Sequence, residues 1–375
     1  MATNELLLRM AVWEQEWPRP RVADPAARTR EELAKVLAAR LRAGVRVGIT
    51  VGSRRLAITP AAVGAPVVAG VETVLLGKTP GGTPLYVLRS ALEMDGILVL
   101  NRIKPHTAFH GPVESGLLKM LAVGLGGPQG AAVVHAGGGE KMAALVLEVG
   151  MCLVERLPVL GGLAVVENAY GEVAHLEGVA PGEFRQREES LLAKARRLVP
   201  RLPFAAVDLL IVEEMGKCYS GTGMDTNVVG RRRQGYQPEP LEPRVERLVV
   251  LDLAEASQGN ANGTGLADFT TEALVRKIDR EATYLNALTT GFPQRAMLPL
   301  VYPTEREAVA AAYQSLGSPP PGQVKAVQVA NTLMLNKLAI SEALWAAAEA
   351  HPGMRHTGTV YTLPLEGRGP VPRLT

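Results

Sequence analysis

The stretch from Asn101 to His135, NRIKPHTAFHGPVESGLLKMLAVGLGGPQGAAVVH, carries three of the chain's six histidines and a lysine inside an apolar run. His106 follows Pro105 directly after the apolar segment GILVLN, where a buried strand would deliver a side chain to a cleft. A histidine is neutral near pH 7 and can take or give a proton, which suits general acid–base work. The plainer reading is a loop histidine satisfied by its neighbours. Lys119, among Leu117, Leu118, Met120 and Leu121, must either snorkel to solvent or sit desolvated with a lowered pKa. A lowered pKa is what a covalent lysine needs. His135 ends the run AAVVH as a metal ligand or as a structural histidine, and the glycines of GLGGPQG let a backbone pass close to a ligand.

Two further places have suitable chemistry. Ser53 and Arg54 follow the apolar run at 45–51, and an arginine after a strand and a small turn can grip a carboxylate or phosphate in bidentate fashion. A surface arginine is the alternative. In EEMGKCYSGTGMDTNVVGR, residues 213–231, Lys217, Ser220, Thr222, Asp225 and Asn227 share one segment with four internal glycines. That density of small and polar groups is the profile of a ligand loop, and a glycine-rich nest can hold an anion on backbone N–H groups. Lys217 and Asp225 are the substrate-binding candidates there. The segment 257–270, SQGNANGTGLADFT, reads equally as a second site or as structure, with Asp268 and Thr270 as caps.

These residues need a frame, and hydrophobic periodicity supplies one. TREELAKVLAARLRA (29–43) has helical spacing, with Thr29 placed as N-cap and Glu32 three residues on. VRVGITVG, GILVLN and LGGLAVVEN read as buried strands, and KMAALVLEVGMCLVERL and REESLLAKARRLVPRL as helices. Residues 115–124 fit helix or strand. After the prolines at 200 and 203 the rhythm restarts: AAVDLLIVEEM, VERLVVLDL and KAVQVAN as strands, 266–280 and REAVAAAYQSL as helices. Buried strands alternating with helices imply two α/β domains with largely parallel sheets, 1–200 and 201–375. Ligands of such sheets sit beyond the carboxyl ends of strands, so the active site is expected in the cleft between the domains.

Composition narrows the function classes. A hydrophobic share of 47% with only 4% aromatics calls for cores of Val, Leu, Ala and Met and argues against a base-stacking platform. The net charge of +3 balances 40 basic against 37 acidic residues, and the run Arg231–Arg233 reads as a solvated loop, with phosphate or carboxylate contact as the alternative. No nucleic-acid partner is expected. Two cysteines make neither a metal spacing nor a disulfide framework. The apolar N-terminal stretch is too short for a signal peptide, and no run is long enough to span a membrane. The expected location is the cytoplasm.

In order along the chain, GSRR, NRIKPHT…GPVESGLLKMLAVGLG…H, GKCYSGTGMDTNVVGR, GNANGTGLADFT and TYLNALT resemble the lactate-racemase-related family of isomerases, in an uncharacterised branch, from about residue 45 to 345. The long motifs are specific; GSRR is not. The resemblance implies a nickel-pincer nucleotide, pyridinium-3,5-bisthiocarboxylate mononucleotide with nickel, bound covalently at Lys119, with His135 as nickel ligand. A tetragonal site of sulfur, carbon and imidazole nitrogen suits Ni(II). It further implies His106 as the acid–base residue and Arg54 with Ser53 around an anionic group. The activity implied is racemisation or epimerisation of a small 2-hydroxy acid or related polyol acid, by hydride exchange coupled to proton transfer, with cofactor-synthesis proteins as partners.

The chain departs from the family in one respect. The family's first histidine lies between the arginine loop and the NRIKPH strand, and the interval 55–100 here contains none. Two-faced racemisation needs two bases; His110 is a substitute if its loop reaches the cleft, and Lys78 a poorer one. The competing readings are a non-isomerising binder or carrier of the pincer nucleotide, and a cofactor-free anion-binding α/β protein in which Lys119 is structural.

Overall fold

The computed structural model describes residues 6–38, 41, 44–51, 70–235 and 238–374. The chain divides into two compact units, Pro18–Val199 and Met1–Trp17 with Pro200–Thr375. A cut at residue 200 therefore misplaces the first segment. Its strand β1 (Leu7–Gln15) belongs with the C-terminal half because it pairs there on both sides.

In the unit 18–199, β2 (Val47–Val51), β5 (Gly96–Arg102), β6 (Val159–Glu167) and β7 (Val173–Val179) form one sheet in that order. The first two pairings are parallel and the last antiparallel. A separate hairpin joins β3 (Thr73–Lys78) and β4 (Pro84–Leu88). Helix α1 (Pro25–Leu37) packs on β6 and β7. It starts earlier than the Thr29 cap predicts: Asp24 accepts the Ala27 N–H at 2.9 Å and Pro25 opens the first turn. Proline has no N–H to leave unsatisfied there, so Asp24–Pro25 outcompetes Thr29. Glu32 is then free to turn inward, accepting the Gly178 N–H at 2.9 Å. The unit also contains α2 (Gly127–Ala136), α3 (Gly138–Arg156) and α4 (Phe184–Leu198). The ambiguous run at 115–124 is helical, a first turn at Leu117–Lys119 widening into a π-helical Met120–Leu125.

The second unit is built on an eight-stranded sheet. Its strands are β8 (Ala206–Met215), β9 (Arg244–Leu253), β10 (Phe269–Thr271), β11 (Leu300–Tyr302), β12 (Ala326–Val329), β13 (Lys337–Ser341), β14 (Met354–Pro364) and β1. The order is β11-β10-β9-β8-β12-β13-β1-β14. From β11 to β12 every pairing is parallel; β13, β1 and β14 extend the sheet antiparallel. The mixed α/β class follows directly, with parallel pairing dominant at one end and an antiparallel extension that periodicity did not reveal. Both faces are buried: Leu8, Met10 and Val12 of β1 enter one core while Ala11 and Trp13 enter the other. That is the period-2 alternation of a strand with packing on each side.

One expected helix is replaced. Residues 266–280 give β10 and a short helix at Glu272–Arg276. Thr270 and Thr271 are β-branched, and their hydroxyls donate to the Val250 and Leu251 carbonyls of β9 at 2.8 and 2.7 Å. Helix α5 (Arg280–Thr290) follows, and α6 (Glu305–Gln314) matches the predicted REAVAAAYQSL helix.

Candidate active site

Strand β5 runs into the loop that carries His106, and the loop is tied at its base. Lys104 and Ser115 exchange backbone hydrogen bonds of 3.1 and 3.3 Å, and Asn101 Nδ2 donates to the Gly116 carbonyl at 2.8 Å. Inside the loop lies the carboxylate of Glu114, only 1% exposed. It accepts the backbone N–H of His106 at 2.6 Å and of Gly111 at 3.2 Å, the His110 Nδ1–H at 3.1 Å and the Arg196 Nη2–H at 2.6 Å. Burial alone would raise this carboxyl, but the bonds from His110, the His106 amide and Arg196 outweigh it and hold it below the usual carboxylate range.

That frame fixes the ring of His106. It stacks on Phe109 with centroids 4.3 Å apart. Its Nδ1 accepts the Ala108 N–H at 3.0 Å, and its Nε2 lies 2.8 Å from Lys119 Nζ. A backbone N–H can only donate, so Nδ1 is unprotonated and Nε2 carries the hydrogen in the neutral ring. Lys119 is half-buried and sits at the end of the first turn of the 117–125 segment. Its amine meets an imidazole. The turn is anchored from α4, where Glu188 Oε1 accepts the Leu118 N–H at 2.7 Å. Burial pushes the Glu188 carboxyl up to about 8, against the lowering by the Leu118 and Leu117 amides.

His135 is half-buried near the end of α2. Between Lys119 and His135 the chain bends by 114°. Gly126 makes the bend possible, since a Cβ there would stand 2.3 Å from the Ala122 carbonyl oxygen. The GLGGPQG glycines thus bring backbone against backbone. His110 is exposed and its Nδ1 is engaged by Glu114, and Lys78 is exposed at the end of β3. Ser53 and Arg54 lie outside the described residues.

In the C-terminal unit the two glycine-rich loops interlock. A Cβ on Gly223 would stand 2.2 Å from the Asn262 carbonyl oxygen, and one on Gly263 would stand 2.1 Å from that of Thr222. Asp225 caps the short helix Thr226–Val229, its Oδ1 accepting the Asn227 N–H at 2.9 Å. Lys217 Nζ donates to Asn286 Oδ1 at 2.8 Å, and its backbone N–H to Ser257 Oγ at 2.9 Å. Asp268 accepts the Leu248 N–H at 2.9 Å and pairs with Arg231 at 2.7 Å. Arg231 is buried and also donates to the Leu266, Val245 and Glu246 carbonyls, so the Arg231–Arg233 run is not a uniformly solvated loop.

Sequence reasoning missed Glu114, Arg196 and Glu188. Glu114 had a faint signal, a lone acid four residues after His110 in an otherwise apolar loop. Arg196 and Glu188 sit in a helix of ordinary charged character, and nothing in that pattern marks them.

No protein-family model matches the chain, and no curated protein does. Among solved structures, the lactate racemase apoprotein from Thermoanaerobacterium thermosaccharolyticum is similar at 12% identity and a TM-score of 0.42, covering 70% of this chain and 67% of that one. Among the described residues no single helix is long and apolar enough to cross a membrane.

Proposed function

We propose that the chain is a racemase or epimerase of a small 2-hydroxy acid or related polyol acid, working with a nickel-pincer nucleotide held at Lys119. The observation that carries this reading is the 2.8 Å approach of Lys119 Nζ to His106 Nε2, two residues brought together by a loop with its own buried carboxylate. His135, half-buried near the end of α2, would be the protein's ligand to the ion, whose other ligands would arrive on the organic cofactor. When bound, that cofactor supplies the acceptor and donor of hydride. The expected partners are the hydroxy-acid substrate and the cofactor-synthesis proteins.

The chain's own residues hold and move the proton. Lys119 would tether the cofactor, His135 would ligate its nickel, and His106 would handle the substrate hydroxyl proton at Nε2. In the tautomer that the Ala108 N–H imposes, Nε2 is a donor. Accepting a proton there requires the Ala108 amide to release Nδ1, so the 106–108 turn must open during the cycle. Arg54, Ser53, Lys217 and Asp225 are the proposed contacts to anionic and polar groups of cofactor and substrate. The cytoplasm is the proposed location.

The test is coexpression with cofactor-synthesis proteins and peptide mass spectrometry of Lys119. An adduct on Lys119 is the expected result, and its absence ends the nickel reading. With the adduct present, candidate 2-hydroxy acids should scramble their stereochemistry and exchange deuterium. A second reading, a carrier of the pincer nucleotide, is favoured by the lack of any histidine in 55–100. An adduct without scrambling would select it.

A further inference from the structure

Two arginines of the C-terminal unit are buried among the described residues, Arg231 and Arg295, and they are treated differently. Arg231 pairs with Asp268 at 2.7 Å and donates to three backbone carbonyls. Arg295 is the deeper of the two, only 1% exposed. Its Nε donates to the Arg232 carbonyl at 3.1 Å, and its guanidinium lies 4.8 Å over the ring of Phe292. Its Nη2 has no hydrogen-bond partner among the described residues. Burial lowers the pKa of Arg295 to about 10, which leaves it a cation at neutral pH.

The acids of this region are engaged elsewhere. Glu239, whose charge acts on Arg295, accepts the Arg233 N–H on Oε1 at 3.1 Å and the Arg232 N–H on Oε2. Asp268 is shared by Arg231 and Arg233. Two residues beyond the carbonyl that holds Arg295 comes Gln234, 5% exposed, with neither Nε2 nor Oε1 hydrogen-bonded among the described residues. Arg233 and Gly235, on either side of it, are exposed, so this segment borders solvent. Buried polar atoms are nearly always paired, and a buried charge needs a partner most of all. Here a cation and a complete side-chain amide lack theirs on adjoining segments.

We propose that Arg295 Nη2 and the Gln234 side-chain amide bind a small oxyanion of the hydrogen phosphate type. A guanidinium donor calls for a negative oxygen. A primary amide presents a donor and an acceptor side by side, which matches an anionic oxygen next to a hydroxyl on one phosphorus. A carboxylate or sulfate has no hydroxyl to give to Gln234 Oε1. The site draws on no residue of the isomerase reading, so either can fail without the other.

The probe is inorganic phosphate, titrated calorimetrically into the full chain at pH 7 and constant ionic strength, with sulfate and acetate in parallel. Saturable binding of one phosphate per chain is expected. Sulfate and acetate should bind about tenfold more weakly or worse, since each leaves Oε1 unpaired. Gln234→Leu keeps the bulk and loses both amide groups, and should raise the phosphate Kd about tenfold or more. Arg295→Met fills the same space without the charge and should abolish binding in a folded protein. Should Arg295→Met fail to fold, Gln234→Leu decides. No saturable phosphate binding by the unsubstituted protein would overturn the proposal. So would equal affinity for sulfate, or an unchanged Kd in either variant.

Discussion

The 101–119 loop and the glycine-rich loops of the C-terminal unit are alike in carrying several polar groups directly after buried strands. They differ in what their polar groups face. In the first, His106, Glu114, His110, Arg196 and Lys119 converge on one another, bringing an imidazole nitrogen to 2.8 Å from an amine. In the second, the glycines press backbone against backbone, and Asp225 is occupied with capping. Small residues in a loop therefore report close approach, and only the tertiary structure says whether the approaching group is a ligand or another loop.

The sharpest way to break this contrast is to fill the second region. A Cβ on Gly265 would lie 1.8 Å from the Gln294 carbonyl oxygen. Gly265→Val should cost about 4 kcal/mol or more, at the upper end for a point substitution, read by urea unfolding. A stable Gly265→Val protein would mean that the close packing of the 257–270 loop on residues 293–296 yields easily, and the contrast would fail.

In the first region, Glu114→Gln removes the charge that Arg196 and His110 share. Breaking a fully buried pair costs about 3–5 kcal/mol; with Arg196 half in solvent, about 2 kcal/mol is expected in the same assay. The wild-type carboxyl titrates below its ordinary value, so its contribution is present above the unfolded carboxylate pKa and is lost as pH falls through the folded one. Glu114→Gln should remove that acid-side loss.

Glu188 acts in the opposite sense. Its carboxyl is raised from 4.5 to about 8, so the folded protein keeps a proton that the unfolded chain releases between those values. The stability it contributes is full below about pH 4.5 and declines as pH rises towards 8. Unfolding midpoints measured from pH 5 to 8 should slope downward, and Glu188→Gln should flatten that slope. The smallest effect is expected at Asp225, where Asp225→Ala removes a helix cap worth about 1 kcal/mol. A Kd change for a ligand at unchanged stability would instead return Asp225 to a binding role.

Much of the frame was legible. The strands at 96–102, 159–167, 206–215 and 244–253 and the helix at 138–156 fall where unbroken apolar runs and helical spacing put them. Such long segments declare themselves because burying them satisfies one local pattern at a time. Strand β10 did not, since three residues are too few for a period and its threonines are committed by bonds to β9. The N-terminal strand was missed for another reason: its pairing partners stand more than 300 residues away.

By itself the sequence determined that two α/β halves would form, that a lysine would sit in an apolar run of either helix or strand, and that a histidine would follow a buried strand. These are consequences of hydrophobic period and chain order. Only the tertiary structure decided that the two would meet, with Nε2 turned to Nζ. The decisive bonds to that loop come from Arg196, 82 residues beyond Glu114, and from Glu188, 70 beyond Leu118. Hydrogen bonds over such separations depend on how helix and loop pack, and no local pattern encodes the donor's distance from its acceptor.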